Sequence, residues 1–246
     1  MFRVVFVMDI FNHAVVLAKG GIRENYRPVS DSSAVCKTSI PLEILEFLHP
    51  REVYIADLNS LQGKGPLDIN AELIREVSSK ADTMLDFGVS SLKDVDKALS
   101  IAGTAVIGTE TGTLAVIRDA VSRNPGRISV SIDVKFGKIL KQDPEIPEDP
   151  FEIVKILNGL PLKDLIFLDL DRVGTASGFD PEFLRKLAES SVHDVLLAGG
   201  VRGMEDLFAL DSLGIKGALV ATAIHSGSVP PEVMTLGLKK VKSSDS

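Results

Sequence analysis

The sequence predicts an α/β fold: a closed (β/α)8 TIM barrel built from two repeated half-barrels. Three observations predict it. The chain has 246 residues, close to the roughly 250 of a typical eight-strand α/β barrel. It carries eight short apolar runs, each followed by a helix-like pattern, as parallel strands buried on both faces require. Finally, it repeats itself. Tyr54-Ile-Ala-Asp57 returns as Ile166-Phe-Leu-Asp169, Gly88-Val-Ser-Ser-Leu-Lys-Asp94 as Gly200-Val-Arg-Gly-Met-Glu-Asp206, and Ala105-Val-Ile-Gly-Thr109 as Ala218-Leu-Val-Ala-Thr222. With Asn70–Val77 and Asp180–Leu187, these blocks recur at separations of 110–113 residues, and Asp9 and Asp133 stand 124 apart. A separation that constant is a duplicated half-chain rather than a short-period solenoid. A doubly wound open sheet competes on element order alone, but duplication of a four-strand unit favours closure.

Taken in order, Val4–Met8 is the first strand and delivers Asp9 at its end. A long polar loop follows from about Lys19 to Asp31, started by glycine and carrying Arg23, Tyr26 and Arg27, as a lid that grips an anion and excludes water would be. Pro41–Leu48 is helical. Val53–Ala56 is strand two and Ile69–Val77 its helix, with Leu73, Ile74 and Val77 on one face. Thr83–Leu85 is strand three, and Ser91–Leu99 a helix opened by a Ser-x-x-Asp cap. Ala105–Ile107 is strand four, followed by a helix over Thr113–Val121. Ile128–Ile132 is strand five, again ending on a carboxylate, Asp133. Helix Pro150–Leu157, strand Leu165–Leu168, helix Pro181–Ala188, strand Val195–Leu197, helix Glu205–Leu213 and strand Ala218–Val220 complete the round. The barrel is expected over residues 1–238, with halves of about 1–124 and 125–238 and a solvated polar tail at 239–246.

Composition narrows the function classes. A hydrophobic content of 45% supports a large core. A net charge of −7 argues against nucleic acid as the main partner, yet leaves a small phosphorylated metabolite open, because local backbone N–H groups can hold phosphate. The single cysteine, Cys36, provides neither a disulfide framework nor a thiolate metal cluster. No apolar run approaches the roughly 20 residues of a membrane span. The reading is a soluble cytoplasmic protein with no membrane partner.

Chemistry is expected where the strands end, since strand-to-helix loops form the active face of such barrels. Asp9 and Asp133 end strands on opposite sides of the ring, where two carboxylates can act as general base and general acid if their environments separate their pKa values. A strand-end Asp can also simply cap a turn or pair with a lysine such as Lys135; the repeated placement favours chemistry. Asp57 and Asp169 form a second pair, as readily structural as substrate-binding. Ala198-Gly199-Gly200 and Ala221-Thr222, after strands seven and eight, suit a phosphate cradle, and Gly88 with Gly108-Thr109 repeats it on the opposite rim. Arg202 is within reach of a phosphate, and Gly174-Thr175-Ala-Ser177-Gly178 adds hydroxyls beside the pocket.

Together, Asp9, Asp57-Leu, Gly108-Thr109, Ser131-Ile-Asp133-Val-Lys, Asp171-Arg-Val-Gly174-Thr175-Ala-Ser-Gly178 and Gly199-Gly200-Val resemble the histidine-biosynthesis isomerase/cyclase barrels (the HisA/HisF family), closer to the isomerase branch. The resemblance covers roughly residues 2–228. It implies an Amadori rearrangement of a phosphoribosyl aminoaldose to an aminoketose, a substrate with phosphates at opposite rims, and no metal or organic cofactor. By match, Asp9 takes the C2 proton, Asp133 opens the ribose ring and Thr175 orients the substrate. The chain departs from the pattern after strand three, where Asp86-Phe87-Gly88-Val89-Ser90 replaces the usual Gly-Gly-Gly-Ile-Arg. Gly21 stands where an acid is common, and Ala221-Thr222 replaces a Gly-Lys-like pair. The carboxylates are kept while recognition of one substrate end is rebuilt. Besides the isomerase, the sequence leaves open another barrel enzyme, a lyase or synthase, on a phosphorylated metabolite, and a non-catalytic phosphometabolite-binding protein.

Overall fold

The computed structural model describes residues 1–18, 26–63, 65 and 67–238. Along the chain run β1 (Arg3–Phe11), β2 (Ala14–Leu17), β3 (Arg27–Pro28), α1 (Pro41–Leu48), β4 (Glu52–Asp57), α2 (Leu58–Leu61), α3 (Ala71–Ser78), β5 (Asp82–Asp86), α4 (Leu92–Leu99) and β6 (Thr104–Gly108). After them come α5 (Leu114–Arg123), β7 (Ile128–Lys135), β8 (Lys138–Ile139), α6 (Pro150–Leu157), β9 (Leu165–Asp169), α7 (Pro181–Ser190), β10 (Val195–Ala198), α8 (Met204–Ser212), β11 (Gly217–Val220), α9 (Thr222–His225) and α10 (Val233–Leu236). The parallel strands β1, β4, β5, β6, β7, β9, β10 and β11 pair in that order, and β11 pairs back onto β1. The ring is closed: this is a (β/α)8 barrel.

Alternation along each strand sorts side chains into two layers. On β1, Val4, Phe6, Met8 and Ile10 pack outward under the helices. Val5 faces inward with Tyr54, Met84, Val106, Ile166, Leu196 and Leu219. Below this layer, Arg3 closes the bottom of the barrel. Its guanidinium bridges Glu52 of β4 and the buried Asp164 that precedes β9, and the Ser129 hydroxyl also donates to Asp164.

The helix starts follow their local chemistry. Ser91 and Asp94 form the expected reciprocal capping box on α4, Thr113 caps α5, and Asp149 and Asp180 cap α6 and α7 ahead of Pro150 and Pro181. The ends of the first and fifth barrel strands differ from expectation. Rather than stopping before Asp9 and Asp133, β1 and β7 run on into hairpins with β2 and β8. Asn12 and His13 turn the first at φ 47° and 65°, and Phe136 and Gly137 the second at 53° and 67°. Positive φ at both central residues is the two-residue hairpin geometry that matches strand twist. Asn-His and Phe-Gly are not the usual residues for such a turn, so the sequence carries no strong hairpin signal at either place.

Candidate active site

Inward-facing positions continue upward from the barrel core to the C-terminal ends of the strands, where a cavity of about 470 Å³ opens. That volume suits a small-molecule ligand. Asp9, in phase with Val5 and Val7, lines it, and so does Asp133, in phase with Ser129 and Ser131. Period-2 alternation therefore turns both carboxylates into one space. Asp86, Glu110, Lys135, Tyr26 and Tyr54 join them on the wall, with Gly174, Gly199, Gly200, Ala221 and Thr222.

Asp133 is the most constrained of the acids. It is 5% exposed. The Ser131 hydroxyl donates to its Oδ1 at 2.6 Å and the Glu110 N–H to its Oδ2 at 3.2 Å, while its own N–H donates to the Thr109 hydroxyl at 3.0 Å. Burial disfavours its charged form, the Ser131 hydrogen bond opposes that, and the neighbouring Asp86 charge adds to it; the carboxyl is pushed up to about 7. Gly108 is required here for space, because a Cβ on it would lie 2.5 Å from Asp133 Oδ2. Thus Gly108 and Thr109, expected on a phosphate, serve Asp133 instead: neither lines the cavity, and Thr109 is buried.

Asp57 and Asp169 fall outside the cavity for a simple reason. Asp57 sits opposite Ile10 and Asp169 opposite Val134 in the strand register, one residue out of phase with Asp9 and Asp133. Each organises a loop instead. Asp57 is fully buried and accepts from the Asn59 N–H, the Ser60 hydroxyl and the Asn70 amide; burial pushes its carboxyl up despite these bonds. Asn59 and Asn70 in turn accept from the Asn12 and His13 N–H groups at the tip of the first hairpin. Asp169 accepts from the Asp171 N–H and pairs with Arg172 at 2.9 Å, and Asp171 accepts from the Phe136 N–H at the second hairpin tip. Each Asp thus steadies the hairpin that follows a cavity carboxylate.

The remaining expected site residues divide. Gly174 and Ala176 line the cavity, whereas Thr175 and Ser177 are exposed beside it, the Thr175 hydroxyl donating to the Arg172 carbonyl and to Ser177. Gly199 and Gly200 are on the wall at φ 99° and 89°; a Cβ on Gly199 would come 2.7 Å from the Asp169 carbonyl oxygen, and one on Gly200 would fall on that of Gly178. Arg202 lies off the wall, its side chain 62% exposed and paired with Asp206. Gly88 is also off the wall, its N–H donating to Asp86 Oδ1. Arg27, in β3, is exposed and donates to the Tyr26 carbonyl. Arg23 and Gly21 lie outside the described residues.

His225 does not line the cavity. It is buried against Phe6, 5.5 Å between rings, with Nδ1 3.0 Å from the Ser33 hydroxyl, and burial pulls it down to about 4. Of the wall residues, Asp86 stands out in the sequence only as a departure from the family pattern, and Glu110 and Tyr54 carry no site signal there. Tyr54 reads as a core aromatic, and only the barrel brings its hydroxyl 2.8 Å from Asp86 Oδ2. Burial and the Asp86 charge drive the Tyr54 phenol well above its ordinary value.

The profile of the histidine biosynthesis protein family matches residues 3–230. The chain belongs to that family. An uncharacterized protein of Methanocaldococcus jannaschii is 32% identical over 92% of this chain and 94% of its own. Two relatives carry the name of an imidazole-4-carboxamide isomerase whose substrate bears two phosphoribosyl groups. The one from Prochlorococcus marinus is 29% identical over 82% of each chain, and the one from Thermus thermophilus 27% over 72% of this chain and 77% of its own. Both of these named relatives are thus isomerases of a substrate that carries phosphoribosyl groups. Among the described residues, no helix is long and apolar enough to cross a membrane.

Proposed function

We propose that this family member is an aldose–ketose isomerase of the Amadori type, acting on a phosphorylated ribosylamine-like substrate with Asp9 as general base and Asp133 as general acid. One observation carries the reading: two inward carboxylates share a cavity, and one of them holds its proton to about pH 7. A general acid must be protonated at working pH while its partner base is ionised. In this reading the Asp133 proton passes to the ribose ring oxygen as the C1–O bond breaks, leaving an iminium at C1. Asp9 then takes the C2 proton, the C2–H electrons neutralise the iminium, and the enolamine tautomerises to the ketone with a proton delivered to C1. No external oxidant or reductant is needed. Gly199, Gly200, Ala221 and Thr222 supply a small, neutral stretch of wall suited to one phosphate. Thr175 is a positioning residue, holding the loop that presents Gly174.

The deciding experiment is turnover of the aminoaldose used by the named isomerases, by wild type, Asp9→Asn and Asp133→Asn. The reading requires turnover in the wild type and its loss in both variants. Equal rates in all three would remove these carboxylates from catalysis.

A further inference from the structure

Strand β7 interrupts the apolar inner face of the barrel. In register with it, β6 turns Val106 inward and β9 turns Ile166 inward. At the matching positions β7 turns in Ser129 and Ser131, both fully buried. A hydroxyl in such a place costs stability unless it is hydrogen-bonded, and each of these is spent on a carboxylate. Ser129 donates to Asp164 at the barrel bottom at 3.4 Å, and Ser131 to Asp133 at the mouth at 2.6 Å. The second length is that of a hydroxyl on a charged acceptor.

The two oxygens of Asp133 are held unequally. Oδ1 turns back to Ser131, which lies deeper in the barrel, and takes the short bond. Oδ2 accepts the Glu110 N–H at 3.2 Å, beside a residue that lines the cavity. A Cβ on Gly108 would fall 2.5 Å from Oδ2 but 3.7 Å from Oδ1, so the room cleared by that glycine is room for Oδ2. A neutral carboxyl carries its hydrogen on one oxygen. On Oδ1 it would displace the Ser131 hydrogen from the one acceptor that this hydroxyl has among the described residues, leaving a buried donor unpaired. On Oδ2 it leaves the short bond intact.

We propose that Ser131 is a positioning residue for the general acid: its hydroxyl holds Asp133 Oδ1 as an acceptor and confines the transferable proton to Oδ2. This rests on Asp133 being the acid of the reaction proposed above. Ser131 does not line the cavity, so it acts through Asp133 and not on the ligand. The other titratable groups that share the cavity with Asp133 are Asp9, Tyr26, Tyr54, Asp86, Glu110 and Lys135. None of them bonds to the Ser131 hydroxyl, so its removal leaves their own bonds in place.

The test follows Asp133 directly. In protein labelled with carbon-13 at the aspartate carboxyls, its resonance is the one lost in Asp133→Asn, and it is titrated with pH in wild type, Ser131→Ala and Ser131→Thr. The Ser131 bond favours the charged carboxylate against the burial that disfavours it. Ser131→Ala should therefore raise the midpoint, by about one pH unit, and Ser131→Thr, which keeps the hydroxyl, should leave it at the wild-type position. With the aminoaldose of the named isomerases as substrate, the alkaline limb of kcat/KM should move up with the midpoint in Ser131→Ala. Below that limb kcat should fall about tenfold because the proton is no longer confined, with KM within about twofold of wild type. Should Ser131→Ala fail to fold by circular dichroism, Ser131→Cys, whose thiol is a weaker donor, should move the midpoint the same way by less. A midpoint unmoved in a folded Ser131→Ala or Ser131→Cys overturns the inference. The titration needs no substrate, so a midpoint moved by Ser131→Ala beside turnover indifferent to Asp133→Asn would sink the isomerase chemistry and leave Ser131 in control of the Asp133 proton.

Discussion

The β10–β11 rim and the β5–β6 rim occupy equivalent places on opposite sides of one barrel, and their sequences run in parallel, yet they have been put to different uses. Gly199 and Gly200 keep a side-chain-free turn that packs directly on the carbonyls of Asp169 and Gly178. Their counterparts are Phe87, buried at 7% exposure, and Gly88, whose added Cβ would meet nothing closer than Leu61 Cδ2 at 3.4 Å. The first turn is a neutral stretch of cavity wall; the second is a bracket for Asp86. Equivalent backbone positions therefore do not imply equivalent ligands. Local N–H groups are spent on the protein itself at both rims, that of Gly200 on the Arg172 carbonyl and that of Gly88 on Asp86; what differs is the side chain beside the turn, a carboxylate at one rim and none at the other.

The sharpest way to break this comparison is through the two carboxylates between the rims. Asp9→Asn and Asp133→Asn are each expected to lower kcat by about a hundredfold to ten-thousandfold, the usual worth of a positioned acid or base, measured in steady state. The glycines come next. Gly200→Ala places a methyl on the Gly178 carbonyl and should cost more than about 3 kcal/mol in urea unfolding. Gly88→Ala, at φ 81° with room around it, should cost only the left-handed backbone penalty of about 1–2 kcal/mol. Equal costs would mean that the two turns are not as different as their packing indicates.

A smaller, pH-dependent effect belongs to Asp133. Its folded carboxyl, near 7, lies above the ordinary value of 3.8. The folded state therefore holds a proton that the unfolded state releases as pH rises between these values, so stability falls across that window and the loss is complete above about 7. Asp133→Asn should raise the melting temperature relative to wild type at pH 8 and leave the difference near zero below pH 4, checked by thermal scans at both. With Asp133 as the general acid proposed above, wild-type kcat/KM should fall as pH rises through about 7.

Smallest of all is Arg202→Ser, which copies onto the β10 rim the residue found at Ser90. Arg202 is largely exposed, and Asp206 would still accept the backbone N–H of residue 202. Burial works against the Asp206 charge, but its bonds from Arg202 hold the carboxyl below its ordinary value. The urea midpoint should fall slightly, because buried Asp206 keeps only the backbone bond of residue 202 and loses the two from the guanidinium, and sugar-phosphate affinity should stay unchanged if Arg202 is remote from the ligand.

The sequence by itself determined the barrel. Strand and helix order, the Ser91–Asp94 cap and the placement of Asp9 and Asp133 all follow from local periodicity and chemistry, which residues carry with them wherever the chain goes. Even the separation of Asp57 and Asp169 from the site was legible in principle: Tyr54 and Ala56 share a face that Asp57 does not, and Ile166 and Leu168 one that Asp169 does not. Only the closed ring decided the rest. That the Gly108 gap holds Asp133, that Thr109 serves it, and that Tyr54 grips Asp86 are contacts across neighbouring strands or their ends, between residues 25, 24 and 32 apart. Glycine, threonine and tyrosine have many possible partners. Which one they meet depends on inter-strand register, and register is a property of the assembled sheet rather than of any one strand.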